Sequence, residues 1–251
     1  MANFFGNFPL VNYKFGNETN TALFQNISTY IKVIDEISDD IAFYSTLFIQ
    51  DYDRPDSLSY KLYGTTEFYW TFYYLNDDIR ESGWPLPQQD LLPKAKKDYP
   101  NFVVETTGDI SKSFLPGHVA KSASTEGIVK KRYLDLGQIV IASPVNFTVG
   151  EGLVPVVNGE QIGSDQIAIK KSVEQYNSVH HYEDASKNYI DIGLVPNAGG
   201  DAAYPSLSGK TPITYFDRIL AKNDSLKEIK VLKPEVAAQI KTEFNKLLSE
   251  G

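Results

Sequence analysis

Apolar and polar positions follow several different rhythms along the chain. Val11, Tyr13 and Phe15 alternate with Asn12 and Lys14, a period-two run that predicts an extended segment before the turn signal Gly16-Asn17. Apolar positions 27, 31, 34 and 37 suit a short amphipathic helix, although their β-branched content leaves a strand open. Ala42 to Gln50 has the β-branched and aromatic content of a buried strand. In Arg54-Pro55-Asp56 the proline fits the first position of a helix and the aspartate the positive end of its dipole. Leu58 and Leu62 share one face of that helix, and Gly64 supplies a left-handed residue to end it. Thr65 or Thr66 caps a second helix, Glu67 to Leu75, and Gly83-Trp84-Pro85-Leu86-Pro87 leaves room for a second short strand.

Beyond this point the pattern changes. Lys94, Lys96, Lys97 and Asp98 read as a solvated helix end. Short apolar runs then stand between glycines: Gly127-Ile128-Val129, Gly137 to Ile141, Phe147 to Gly150, and Leu153 to Gly159. Such punctuation predicts a small antiparallel barrel or sandwich. Pro196, Gly199, Gly200, Pro205, Gly209 and Pro212 mark a linker. Pro234 then opens a last helix with Val236, Ile240, Phe244 and Leu247 in one apolar stripe. The expectation is an α+β chain in four parts: an N-terminal arm (1–40), a strand-helix-helix-strand module (41–92), a β-rich insertion domain (93–198), and a linker with a helical C-terminal arm that includes Ile229 (199–251).

The helix at 67–75 carries Phe68, Tyr69, Trp70, Phe72, Tyr73 and Tyr74, six aromatics spread around its circumference. A helix that is apolar all round is buried all round. Each ring can bury roughly 150–250 Å². A module of about 45 residues cannot cover that much alone. Either the rest of the chain covers the helix or another subunit does; with Trp84 nearby, these rings are the subunit-interface candidates.

Composition narrows the classes. Formal net charge is −8, and residues 1–92 carry 5 Lys/Arg against 13 Asp/Glu, which argues against nucleic acid or an anionic membrane as partner. There is no cysteine, hence no disulfide or thiolate metal site. The opening Met-Ala-Asn-Phe-Phe lacks the features of a signal peptide, so synthesis in a cytosol without export is expected. Candidate chemistry is thin. His180 and His181 are adjacent, and on a strand they would face opposite sides, a poor start for a metal site. His118, after Pro116-Gly117, reads as a loop residue. Asp51, Asp53 and Asp56 open like a calcium loop, but no Gly and terminal Glu follow at the needed spacing. No nucleophile elbow and no phosphate loop are present. No enzyme activity and no cofactor are expected.

Arg54-Pro55-Asp56-Ser57-Leu58, Leu62-Tyr63-Gly64, Phe68-Tyr69-Trp70 and Leu75-Asn76-Asp77 together resemble the baseplate wedge protein 53 family of T4-like contractile-tailed phages. Gly83-Trp84-Pro85-Leu86 and Val179-His180-His181-Tyr182-Glu183-Asp184-Ala185 look like its cyanophage members. Leu226 to Pro234 is similar to the family's closing segment, with Lys227 at the basic position. The stretch 42–87 also resembles a LysM module, with Arg54, Pro55, Asp56, Tyr63, Gly64 and Asn76 as its motif positions; Pro55 replaces the usual Gly, and aspartates line the glycan groove between 51–57 and 76–79. The family resemblance implies a structural virion protein, made in the host cytoplasm. It implies several copies per baseplate that join neighbouring wedge proteins around the central hub and meet sheath or tube initiation proteins. The LysM resemblance implies an alternative, a peptidoglycan-binding tail protein.

Overall fold

The computed structural model describes residues 10–14, 16, 21–25, 43–106, 108–163, 166–190, 195–196, 202–203 and 207–250. They divide into two units, residues 1–88 with 222–251 and residues 89–221. In chain order the first unit opens with strands β1 (Leu10–Tyr13), β2 (Ala22–Gln25) and β3 (Tyr44–Phe48). Helices α1 (Pro55–Tyr63), α2 (Tyr69–Leu75) and α3 (Asp77–Ser82) follow. Helix α4 (Gln88–Asp98) leads into β4 (Phe102–Thr106), β5 (Val119–Lys121), β6 (Glu126–Tyr133), β7 (Gln138–Ala142), β8 (Gly152–Val157), β9 (Glu160–Gln161) and β10 (Ile167–Glu174). Then come β11 (Val179–Glu183), β12 (Tyr189–Ile190), β13 (Val195–Pro196), β14 (Ala202–Ala203) and β15 (Thr211–Thr214). Helix α5 (Tyr215–Ser225) returns the chain to the first unit, which ends with β16 (Glu228–Leu232) and α6 (Pro234–Glu250).

In the first unit, β1 and β2 pair as an antiparallel ribbon with Leu10 opposite Gln25 and Tyr13 opposite Ala22. The helix expected over 27–37 lies outside the described residues. Helix α1 starts as its sequence dictates, with Pro55 in the first turn and Arg54 extended before it. It ends where Gly64, at φ 70°, donates its N–H to the Tyr60 carbonyl. Helix α2 begins two residues later than the pattern predicts. The Thr65 hydroxyl accepts the Glu67 N–H and the Ser59 hydroxyl the Phe68 N–H, so Glu67 and Phe68 are held in a turn. Residues 83–87 form no strand. The partner of β3 is β16, antiparallel, with Leu232 opposite Tyr44 and Glu228 opposite Phe48.

That pairing corrects the expected C-terminal arm. Ile229 and Val231 sit in one buried cluster with Ile49, Leu58, Phe72 and Ile79. Leu232, Val236, Ala237 and Ile240 sit in another with Phe68. The C-terminal segment is therefore core, because among the described residues β16 is the strand that pairs with β3 and, with α6, covers the apolar faces of α1 and α2. Ile229, Val236 and Ile240 are interior residues, whereas the Phe244 side chain lies outside those described. Fully burying each aliphatic side chain contributes about 1.5–3 kcal/mol, so β16 and α6 carry a large share of this unit's stability.

In the second unit, β10, β4, β7, β6, β5 and β8 follow one another in antiparallel pairs, and β10 pairs again with β8 to close a six-stranded barrel. Val104, Phe114, Val129, Ile139, Ile141, Leu153 and Ile169 fill it. Gly127 is required where β6 meets β7, since a Cβ there would lie 2.6 Å from the Ala142 carbonyl oxygen. Phe147 to Gly150 is a turn that drops Phe147 into the barrel core instead of a strand. The unit runs past the expected boundary at 198. Strand β15, inside the expected linker, pairs with β11, which also pairs with β12, and Tyr215 at the start of α5 is buried.

Candidate interaction surface

The rings of α2 are largely absorbed by the chain's own C-terminal segment. Phe72 is fully buried and Phe68 nearly so, which removes both from any docking surface. Trp70 and Tyr74 are half-buried, their rings 6.4 Å apart, and pack against the cluster around Leu232 and Val236. Tyr73 and Phe72 both meet Trp84, at 5.9 and 6.0 Å. Only Tyr69 among the six is exposed. Tyr63 donates from its hydroxyl to the Leu232 carbonyl at 3.0 Å. Burial, opposed by hydrogen bonds to Thr71 and Leu232, pushes its pKa up to about 12. The phenol therefore stays protonated and ties α1 to β16.

Two asparagine side chains each bond both main-chain groups of a residue far along the chain. Asn76 accepts the Lys230 N–H at 2.8 Å and donates to the Lys230 carbonyl at 2.9 Å and the Phe72 carbonyl at 2.8 Å. Asn223 does the same for Leu86, accepting its N–H at 2.8 Å and donating to its carbonyl at 3.0 Å. The module position Asn76 is thus a latch between the end of α2 and the outer edge of β16. Pro55 and Gly64 bound α1, and Tyr63 reaches the same strand.

The aspartates of the 51–57 loop are engaged within the unit. Asp53 accepts the Gln50 N–H and pairs with Lys61. Asp51 accepts the Gln88 N–H at 3.2 Å and lies 3.5 Å from Lys227, which also reaches Asp224 at 3.1 Å. Asp56 pairs with Arg54 at 3.2 Å. Trp84 donates from Nε1 to the Asp53 carbonyl at 2.7 Å. Segment 84–88 therefore lies against the loop. A recess of about 370 Å³ does open beside Asn76, Asp77 and Asp78, walled by Glu228, Ile229 and Lys230, but the 51–57 loop does not line it.

Several exposed rings escaped the sequence reading. Phe48 (55%), Tyr52 (65%) and Tyr60 (63%) are more open than Tyr69 (40%). Tyr60 was legible in principle, since it stands two residues from both Leu58 and Leu62 and so falls on the opposite side of α1. Tyr52 holds φ 69°, a conformation uncommon for a bulky side chain, in the turn after β3.

In the second unit the histidine pair is not split across a strand. A bulge between Val179 and His181 turns both rings together, 5.1 Å between centroids. Arg218 donates to His180 Nε2 at 2.6 Å, and since arginine has no acceptor, His180 carries its proton on Nδ1. That proton goes to His181 Nδ1 at 3.0 Å, which leaves His181 protonated on Nε2, donating to Glu183 at 3.2 Å. Burial first, then the Arg218 charge, lowers the His180 pKa to about 4. His118 is a loop residue whose Nδ1 accepts the Leu115 N–H at 3.3 Å.

Among the described residues no group of three or more His, Asp or Glu is placed to hold a metal ion, and no helix is long and apolar enough to cross a membrane. Outward the first unit presents the exposed rings of Phe48, Tyr52, Tyr60 and Tyr69. Residues 8–104 match the family model described as base plate wedge protein 53, a stretch of less than half the chain that takes in β1 to β3, α1 to α4 and the start of β4. No curated protein matches the chain.

Proposed function

We propose that the chain is a structural subunit of a contractile phage tail baseplate wedge, joining neighbouring wedge proteins around the central hub. On this reading it sits in the virion in several copies, meets sheath or tube initiation proteins, and is assembled in the host cytoplasm. The match of residues 8–104 to the wedge protein family carries the reading. Exposed Phe48, Tyr52, Tyr60 and Tyr69 support it, because tyrosine is over-represented in interface cores. The order of β3, α1, α2 and the β3-paired strand β16 supports reading this segment as a LysM-like module with the barrel unit inserted before its closing strand. The alternative, peptidoglycan binding, is disfavoured because Trp84 and Gln88 of the same chain already occupy the loop at 51–53.

The double variant Tyr60→Ala, Tyr69→Ala tests the reading in reconstitution with neighbouring wedge proteins. It is expected to melt like the wild type and to fail to enter the wedge. Normal incorporation of that variant would sink the proposal, and retention on purified peptidoglycan that chitin oligomers compete away would favour the alternative.

A further inference from the structure

The two-stranded sheet of the first unit has one guarded edge and one open edge. On β16, the Asn76 amide covers both main-chain groups of Lys230. Thr46 lies directly opposite Lys230. In an antiparallel pair whose one member turns its main chain away, the other member does too. Bonds at both ends agree: the Phe43 carbonyl accepts from Lys233 N at 3.0 Å, and Ile49 N donates to the Lys227 carbonyl at 2.8 Å. Residues 43, 45, 47 and 49 therefore face β16. Tyr44, Thr46 and Phe48 direct three N–H and three C=O groups outward, to an edge with no neighbour in the described sheet.

Natural edge strands are blunted by charge, proline or a bulge. β16 has Glu228 and Lys230 as well as its asparagine. β3, Tyr-Ser-Thr-Leu-Phe, has none of these devices. The chain contains a second unguarded sheet. Strands β1 (Leu-Val-Asn-Tyr) and β2 (Ala-Leu-Phe-Gln) also lack any charge, although 22% of the whole chain is charged. Leu10, Val11 and Leu23 are exposed, and among the described residues the ribbon has only two strands, a size that is marginal in water by itself. Among the described residues these two sheets do not pair with each other.

We propose that the β1–β2 ribbon of one copy adds edge-on to β3 of a second copy, building a four-stranded sheet across the subunit boundary. Main-chain pairing supplies the affinity and the alternating side chains set the register. Each copy gives a ribbon and takes one, so the contact is head-to-tail and closes into a ring when the rotation permits. This association is a property of the purified chain and stands independently of the wedge reading, whose test uses Tyr60 and Tyr69.

Sedimentation and hydrogen exchange of the full chain, from about 1 to 500 µM, test it. Association should rise with concentration, and the Thr46 and Phe48 amides should slow about tenfold or more as it does. Thr46→Pro removes an outward N–H without touching the β16 ladder, and Thr46→Lys places a charge on the edge; both are expected to stay monomeric with Trp fluorescence unchanged. Deleting residues 1–25 should do the same. A monomer at every concentration, protection of Thr46 already present in the monomer, or association that survives both substitutions would overturn the proposal.

Discussion

In the second unit, β10 pairs with β4 on one side and β8 on the other, so six strands close on themselves within residues 102–174. In the first, β3 waits for a strand that lies roughly 180 residues further along, and among the described residues the sheet then has two strands. One unit is finished by its own neighbours in sequence; the other is finished by the far end of the chain and still presents an edge. Closure removes edges and buys independence, whereas long-range completion makes stability hostage to one late segment.

The strongest way to break this contrast is to delete residues 222–251. The first unit is then expected to unfold, losing β16, α6 and the latches at Asn76 and Asn223, while the barrel stays folded. Both tryptophans, Trp70 and Trp84, lie in the first unit, so their fluorescence follows it alone, and hydrogen exchange at Val104, Ile139 and Ile169 follows the barrel. Retention of native fluorescence would refute the dependence.

Next in size is Phe72→Ala. The side chain is fully buried, and its loss should cost about 3–5 kcal/mol, seen in the fluorescence melt and not in barrel exchange. Asn76→Ala leaves the Lys230 N–H and carbonyl without their partner, and about 1–3 kcal/mol of the same unit's stability should go with it. Equal melting of this variant and the wild type would mean that water replaces the amide without loss.

The smallest expected effect belongs to the barrel unit. His180 has an ordinary pKa of 6.5 and is held at about 4 when folded, so between those values the unfolded chain binds a proton that the folded one refuses. Stability of the second unit should be full above pH 6.5, decline as the pH falls towards 4, and level off below. Arg218, His181 and Lys131 press the proton away from His180, Asp135 favours it, and Glu183 holds the next ring in the chain. His180→Gln should flatten that part of the profile while leaving the fluorescence melt of the first unit unchanged.

Local chemistry was readable from the sequence. Pro55, Gly64 and Pro234 mark helix ends because proline and glycine act on their own backbone, and the glycine-bounded runs point to a small antiparallel barrel or sandwich because each short strand meets its neighbours within a few tens of residues. What stayed hidden is non-local. Leu226 to Pro234 could be recognised as a familiar segment, yet nothing in its own periodicity names Tyr44 to Phe48 as its partner. The surplus of rings at 68–74 was real, but the cover came from Leu232, Val236 and Ile240. Adjacent histidines were assigned to opposite faces because a bulge between Val179 and His181 has no signature in one sequence. The surface rings Tyr52 and Tyr60 belong to no dense cluster that sets them apart in the sequence, whereas the cluster at 68–74 is largely interior.

Because β16 and α6 come last, the module cannot be completed as it is made. Leu75 and Ile240 are separated by the whole barrel, and at about 5–20 residues per second the interval is on the order of ten to thirty seconds. During that time the emerging polypeptide holds Phe68 and Phe72 without their lid. Translation speed through the barrel thus sets how long a sticky half-built module is displayed to the cell, and synonymous codon changes there should alter the yield of soluble protein without altering one amino acid.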